Sequence, residues 1–286
     1  MFHVKRPFHV EHPRRDVSRV LAVVNQKGGV GKTTTAINLG AALAAAERPT
    51  LLVDLDPQTN ATAGVWADRT TLAPPTIYEV LLEGAVATSA ARETLLPYLA
   101  VLPGSVDLVG AELELAQAPE REARLRAALA PLRDRFAFIL IDCPPSLGLL
   151  TLNALVAAHG ALIPLQCEYY ALEGLAQLMR TFRLVRERAN PALAVEGIVL
   201  TMFDPRTSLA LQVRAEVERH FGAELFRAVI PRNVRLTEAP SHGRPIIQYD
   251  LRSPGAVAYL DLAKEVLAHD EARPRPWPER AAAPSG

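Results

Sequence analysis

Cysteine, lysine and net charge are all scarce in this chain of 286 residues. Its two cysteines, Cys143 and Cys167, show no CxxC spacing, which excludes a disulfide framework and a paired set of iron-sulfur ligands. Formal net charge is +0, so the molecule as a whole has no electrostatic footprint for nucleic acid or acidic lipid. Any such binding has to come from a local patch. No apolar run reaches the roughly 20 residues of a membrane-spanning helix. Nothing resembles a signal peptide, and with so little cysteine the expected location is a reducing cytoplasm. Lysine is scarcer than chance would leave it: of 31 basic residues only Lys5, Lys27, Lys32 and Lys264 are lysines. Two of these four lie five residues apart in one glycine loop, where a compact ammonium is needed and a guanidinium does not serve.

What is present is a repeating order of apolar run, turn and helix. Residues 1–17 are polar, basic and rich in His and Pro, with a near-repeat of Phe2-His3-Val4-Lys5 in Phe8-His9-Val10-Glu11, and read as a disordered arm. Buried strands are expected over Arg19 to Val24, Thr50 to Leu55, Leu99 to Leu102, Phe136 to Ile141, Ala161 to Leu165 and Ala194 to Thr201, with Leu225 to Ile230 as a late addition. Helices are expected between them, over Lys32 to Ala46, Ser105 to Arg133, Leu149 to Ala158, Leu172 to Arg188, Ser208 to Phe221 and Pro254 to His269. This alternation implies an α/β fold: one doubly wound, mostly parallel sheet with helices on both faces, spanning residues 18–270. Residues 271–286 are proline-rich and expected to be unstructured.

The segment Asn25-Gln-Lys-Gly-Gly-Val-Gly-Lys-Thr-Thr34 lies between the first strand and an alanine-rich helix. That is the context of a phosphate-binding P-loop, in which backbone N–H groups and a helix N-terminus converge on an anion. Gly28, Gly29 and Gly31 permit the tight turn, Lys32 is placed to reach the β- and γ-phosphates, and the Thr33 hydroxyl to ligate Mg²⁺. The generic pattern G-x-x-x-x-G-K-[ST] is not fully met, because Gln26 stands where its first glycine should be.

Lys27 before the double glycine matches the deviant Walker A motif KGGVGKT. Here the sequence resembles the ParA/Soj-type chromosome- and plasmid-partitioning ATPases, in the group that includes MinD, Mrp-type proteins and the nitrogenase iron protein. The resemblance covers almost all of residues 18–270. It implies an ATP-binding loop made of Lys27, Gly28, Gly29, Val30, Gly31, Lys32, Thr33 and Thr34, and a homodimer that sandwiches ATP with Lys27 reaching the partner subunit's nucleotide. It also implies adenine contacts near Met202, Pro231 and Asn233.

After the second strand, LLVDLDPQ carries Asp54 and Asp56 at alternate positions, both directed at the crevice where open α/β sheets bind ligands. The resemblance extends to this DxDPQ pattern and implies that Asp56 positions the attacking water while Asp54 supports the Mg²⁺ shell. The apolar run ending in Asp142 reads as a Walker B element that holds Mg²⁺ through water. The catalytic set is thus Lys27, Lys32 and Asp56, and the metal set Thr33, Asp54 and Asp142. Cys143, with no histidine nearby in sequence, reads as a packing residue.

Residues 180–252 hold twelve arginines against eight acids, the most basic stretch of the chain. Val229 to Pro245, VIPRNVRLTEAPSHGRP, closely matches the Soj-like family. The resemblance implies a non-specific double-stranded DNA surface on the ATP dimer, here assigned to Arg206, Arg232, Arg235 and Arg244, and a ParB-like centromere-binding partner that stimulates hydrolysis. A nucleoid-associated protein is the expectation. A MinD-like membrane-recruited ATPase is the first alternative, but the tail is broken by Pro274, Pro276 and Pro278 where an amphipathic anchor would be needed. A nucleotide-binding transcriptional regulator without turnover is the second.

Overall fold

In the computed structural model, residues 18–66 and 72–272 are described, so the expected arm at 1–17 and most of the expected tail lie outside the described residues. The chain begins with β1 (Arg19–Val23), α1 (Lys32–Ala45) and β2 (Thr50–Asp54), and short helices α2 (Asn60–Val65), α3 (Ile77–Leu82) and α4 (Ala87–Ala90) follow. Next come β3 (Arg92–Glu93), β4 (Leu99–Leu102), α5 (Leu108–Ala116), α6 (Arg124–Leu129), β5 (Phe138–Asp142), α7 (Leu149–Ala157) and β6 (Gly160–Gln166). The last part is α8 (Ala171–Arg188), β7 (Ala194–Phe203), α9 (Ser208–Phe221), β8 (Leu225–Pro231), α10 (Val234–Glu238), α11 (Ile246–Tyr249) and α12 (Pro254–Ala272).

All eight strands form one sheet in the order β3-β4-β2-β5-β1-β6-β7-β8, parallel except for the β3 to β4 edge pair. Parallel strands buried on both faces need a core on each side, and two clusters supply them. Along β1, Val20 and Ala22 enter one cluster with α3, α5, α6, α7, α8 and α9. Leu21 and Val23 enter the other, with α1 and α12. Period-two alternation thus assigns successive residues of one strand to opposite cores. Each fully buried leucine such as Leu39 or Leu43 contributes about 1.5–3 kcal/mol, which fixes α1 firmly on the sheet.

Most expected elements are present with ends within about two residues. The expected helix from Ser105 to Arg133 is the exception. It is two helices, α5 and α6, parted by a turn that contains Pro119, and a 3₁₀ turn at Ala130–Leu132 with Pro131 ends it. Proline has no N–H to give to a helix and clashes with the turn before it. The closing helix runs on to Ala272, so it takes in Glu271 and Ala272, two residues expected to belong to the tail.

Candidate active site

Register places the site. Within the sheet Asp54 of β2 is the partner of Asp142 of β5, and Asp142 is also the partner of Val23 of β1. Three strand ends therefore meet where the glycine loop leaves β1, at the carboxyl edge where open α/β sheets bind ligands.

The loop is held at several points. Asn25 donates through Nδ2 to the carbonyl of Pro164 on β6 at 2.8 Å and accepts the Lys27 N–H at 3.0 Å. Gly29 and Gly31 take φ of 73° and 87°, a left-handed conformation that suits glycine. Thr201 of β7 donates its hydroxyl to the carbonyl of Val30 at 2.8 Å. Gly31 caps α1 with no side-chain acceptor, which leaves the first N–H groups of a 14-residue helix for an outside anion.

Both loop lysines rest on acceptors of the chain itself. Lys32 is buried and donates from Nζ to the Lys27 carbonyl at 3.0 Å. Burial lowers its pKa, opposed chiefly by the charges of Asp142 and Asp56. Lys27 makes an ion pair with Glu168, 141 residues away in sequence. No local pattern announces Glu168, and it is not among the expected site residues.

The three aspartates are all buried but are not alike. Asp54 is satisfied on both oxygens: Oδ2 accepts the Thr62 N–H at 2.7 Å and the Thr62 hydroxyl at 2.6 Å, and Oδ1 accepts the Asp56 N–H at 3.3 Å. Burial still pushes its pKa up to about 6. Asp56 accepts the Gln58 N–H at 2.9 Å, which shapes the turn after β2. Neither Asp142 oxygen has a well-formed hydrogen bond among the described residues, and the nearest donor, the Thr33 hydroxyl, only opposes an upward pKa shift caused first by burial and then by the Asp54 charge. Two orphaned oxygens in a closed site are costly unless something polar enters. A hydrated cation fits that requirement. Among the described residues no group of three His, Cys, Asp or Glu closes on one point, so phosphate and water have to complete any magnesium shell. Cys143 is buried, and burial raises its thiol pKa well above the ordinary value, so it is inert packing.

Met202, Pro231 and Asn233 come together at one end of the sheet, since Phe203 and Pro231 are register partners of β7 and β8. Met202 has a φ of 48°, unusual outside glycine, and Asn233 Oδ1 is buried with no hydrogen-bond partner among the described residues. The arginines divide in two. Arg206 forks onto Asp204 at 2.7 and 2.8 Å, and Arg235 pairs with Glu238 at 2.9 Å. Arg232 and Arg244 are exposed and make no ion pair among the described residues, although the Arg232 charge reaches Asp204.

A glycine loop on a helix N-terminus, with two buried strand-end aspartates beside it, defines a P-loop nucleotide hydrolase. A family model described as an AAA domain matches residues 18–195. The chromosome partitioning protein ParA of Myxococcus xanthus is 55% identical over 254 residues, covering 89% of each chain. The sporulation initiation inhibitor protein Soj of Bacillus subtilis is 51% identical over 253 residues, 88% of this chain and 100% of Soj. The chain belongs to the ParA/Soj family of chromosome-partitioning ATPases. Among solved structures, cobyrinic acid a,c-diamide synthase from Mycobacterium smegmatis with bound ATP analog and magnesium is 41% identical, with a TM-score of 0.77 over 90% of this chain and 97% of that one. No helix of the described residues is long and apolar enough to cross a membrane.

Proposed function

We propose that this chain is a DNA-segregation ATPase that binds magnesium-ATP in the loop Lys27 to Thr34, closes into a homodimer around it, and holds double-stranded DNA non-specifically until a ParB-like partner stimulates hydrolysis. The observation that carries the reading is the pairing of an open helix N-terminus, with Lys32 at its start and Lys27 in the loop before it, with an Asp142 whose oxygens make no well-formed hydrogen bond among the described residues. The backbone N–H groups of Gly28 to Thr33 cradle the phosphates, and Lys32 leaves the Lys27 carbonyl to reach them. Magnesium, held by Thr33 and through water by Asp142, would neutralise charge on the phosphates. Asp56 positions the attacking water. Asp54, which spends its oxygens on Thr62 and Asp56, acts as the anchor of the turn that presents Asp56, and would support a magnesium shell through that turn. Asn233, with Met202 and Pro231, receives the adenine. Lys27 completes the phosphate cage of the partner subunit.

The net charge of +0 fits a DNA binder that works by pairing patches, because a dimer doubles the number of arginine contacts and adds avidity. Among the described residues Arg232 and Arg244 have no ion pair to break to meet phosphate, whereas Arg206 and Arg235 have to exchange a carboxylate for it. ATP must favour the closed dimer by about 5.5 kcal/mol for the switch to be nearly complete. A cytoplasmic, nucleoid-associated protein follows from this cycle. The test is binding to unrelated duplexes over a range of salt with ATP, ADP or neither: strong, salt-sensitive binding with ATP alone is expected, and binding indifferent to nucleotide would defeat the switch.

A further inference from the structure

Lys27 does not wait in solvent. Its Nζ is paired with Glu168 of the same chain, in the segment between β6 and α8. Its N–H is held by Asn25 at 3.0 Å and its carbonyl by Lys32 at 3.0 Å, so its backbone is fixed on both sides and only the side chain has a choice of partner.

We propose that Glu168 is a positioning residue: it parks Lys27 in cis in the free protomer and has to release it before the lysine can reach a nucleotide on a second copy. This rests on the dimer reading given above. The strength of the pair suits such a role. The two side chains are 40% and 45% exposed, so water screens them and the pair is worth at most about five-fold in an equilibrium. That is enough to orient a long side chain and too little to trap it. A fully buried pair would resist the exchange far more strongly.

The release is also tied to the loop's own occupancy. Lys32 holds the Lys27 carbonyl, and a phosphate group entering the loop competes for that same ammonium. Filling the site therefore loosens one backbone anchor of the residue that must move. Both cations are handed on, Lys32 from a carbonyl to a phosphate in its own site and Lys27 from a carboxylate to a phosphate in the other. Glu168 sets how much of the second exchange has to be offset by dimer contacts.

Sedimentation velocity over a range of protein concentrations, with magnesium and AMPPNP or with ADP, tests this on the full chain. Glu168→Gln keeps the shape and removes the charge and, because each dimer has to release two such pairs, it is expected to form the AMPPNP dimer at about two- to 25-fold lower protein concentration than wild type. Glu168→Asp, which keeps the carboxylate, should shift the threshold less. Glu173→Gln removes an exposed charge from the start of α8 and should match wild type, which separates pairing from bulk charge. All variants should stay monomeric with ADP. The proposal is overturned if Glu168→Gln needs as much protein as wild type or more, or if Glu173→Gln shifts the threshold equally. A wild-type protein that forms no nucleotide-dependent dimer would overturn the dimer reading and this proposal with it, whereas a normal wild-type dimer with an unmoved Glu168→Gln removes the proposal alone.

Discussion

Asp54 and Asp142 are register partners at the ends of β2 and β5, yet the first carboxylate accepts three hydrogen bonds and the second makes no well-formed one among the described residues. Two like groups side by side in one site thus have different work. Asp54 is built into the fold, and in the proposed function Asp142 is the one left for a ligand.

The ligand-free protein should become more stable as pH falls from about 7 to about 5. The folded-state pKa of Asp54 is raised from 3.8 to about 6, so between those values the folded chain keeps a proton that the unfolded chain has lost. The penalty of burying the charge is fully present above about pH 6 and is relieved as pH drops through it. Asp142 is shifted in the same direction. Urea unfolding in EDTA without nucleotide, at pH 7.5 and 5.5, measures this, and Asp54→Asn should flatten the dependence. Equal slopes in variant and wild type would assign the effect to other groups.

Asp142→Asn should separate stability from activity. Removing a buried charge with no donor is expected to raise the melting temperature of the nucleotide-free protein by at least about 2 °C at pH 7.5, equivalent to about 1 kcal/mol in a chain of this size. Magnesium-dependent hydrolysis should fall by about 100-fold or more. Differential scanning fluorimetry and phosphate release report the two effects, and a variant that is both less stable and fully active contradicts the assignment.

Gly104 packs against Asp54 so closely that an added Cβ would lie 2.9 Å from the carboxylate carbon. Gly104→Ala should therefore displace the Asp54 to Thr62 anchor and cost about 1–3 kcal/mol. Thermal unfolding without nucleotide checks it. An unchanged midpoint would mean that the β2 turn has room to give.

Much of this site is legible before the fold. The two lysines of the loop, the apolar strands and their terminal aspartates follow from local pattern, because a strand end and a helix start are written in neighbouring residues. What stays hidden depends on contacts between distant segments. Glu168 meets Lys27 across 141 residues, Thr62 reaches back to Asp54 from a six-residue helix too short to show a period, and Gly104 is a glycine because of what lies against it. The stretch from Ser105 to Arg133 reads as helical throughout by composition, and Pro119 and Pro131 divide it. Among the arginines the difference is local: Arg206 has Asp204 two residues before it to fork onto, and Arg232 has no acidic residue within three positions.

That difference predicts an order of effects on DNA binding. In the ATP state Arg232→Ala and Arg244→Ala should each weaken binding to any duplex and lower the salt slope by about 1 for each DNA phosphate left without its arginine. Arg206→Ala and Arg235→Ala should do less, since each removes a cation already neutralised by a carboxylate. Fluorescence anisotropy over a salt series decides, and the reverse order would show that the ion pairs open on binding.

Lys27 carries the central claim, that its ammonium serves the nucleotide of a second copy and not its own. Sedimentation velocity of Lys27→Ala at saturating magnesium-ATP, with ATP affinity taken from calorimetry on the same sample, is the most direct measurement. The expected result is a monomer that binds ATP with near wild-type affinity and does not turn it over. A variant that dimerises like wild type contradicts the account.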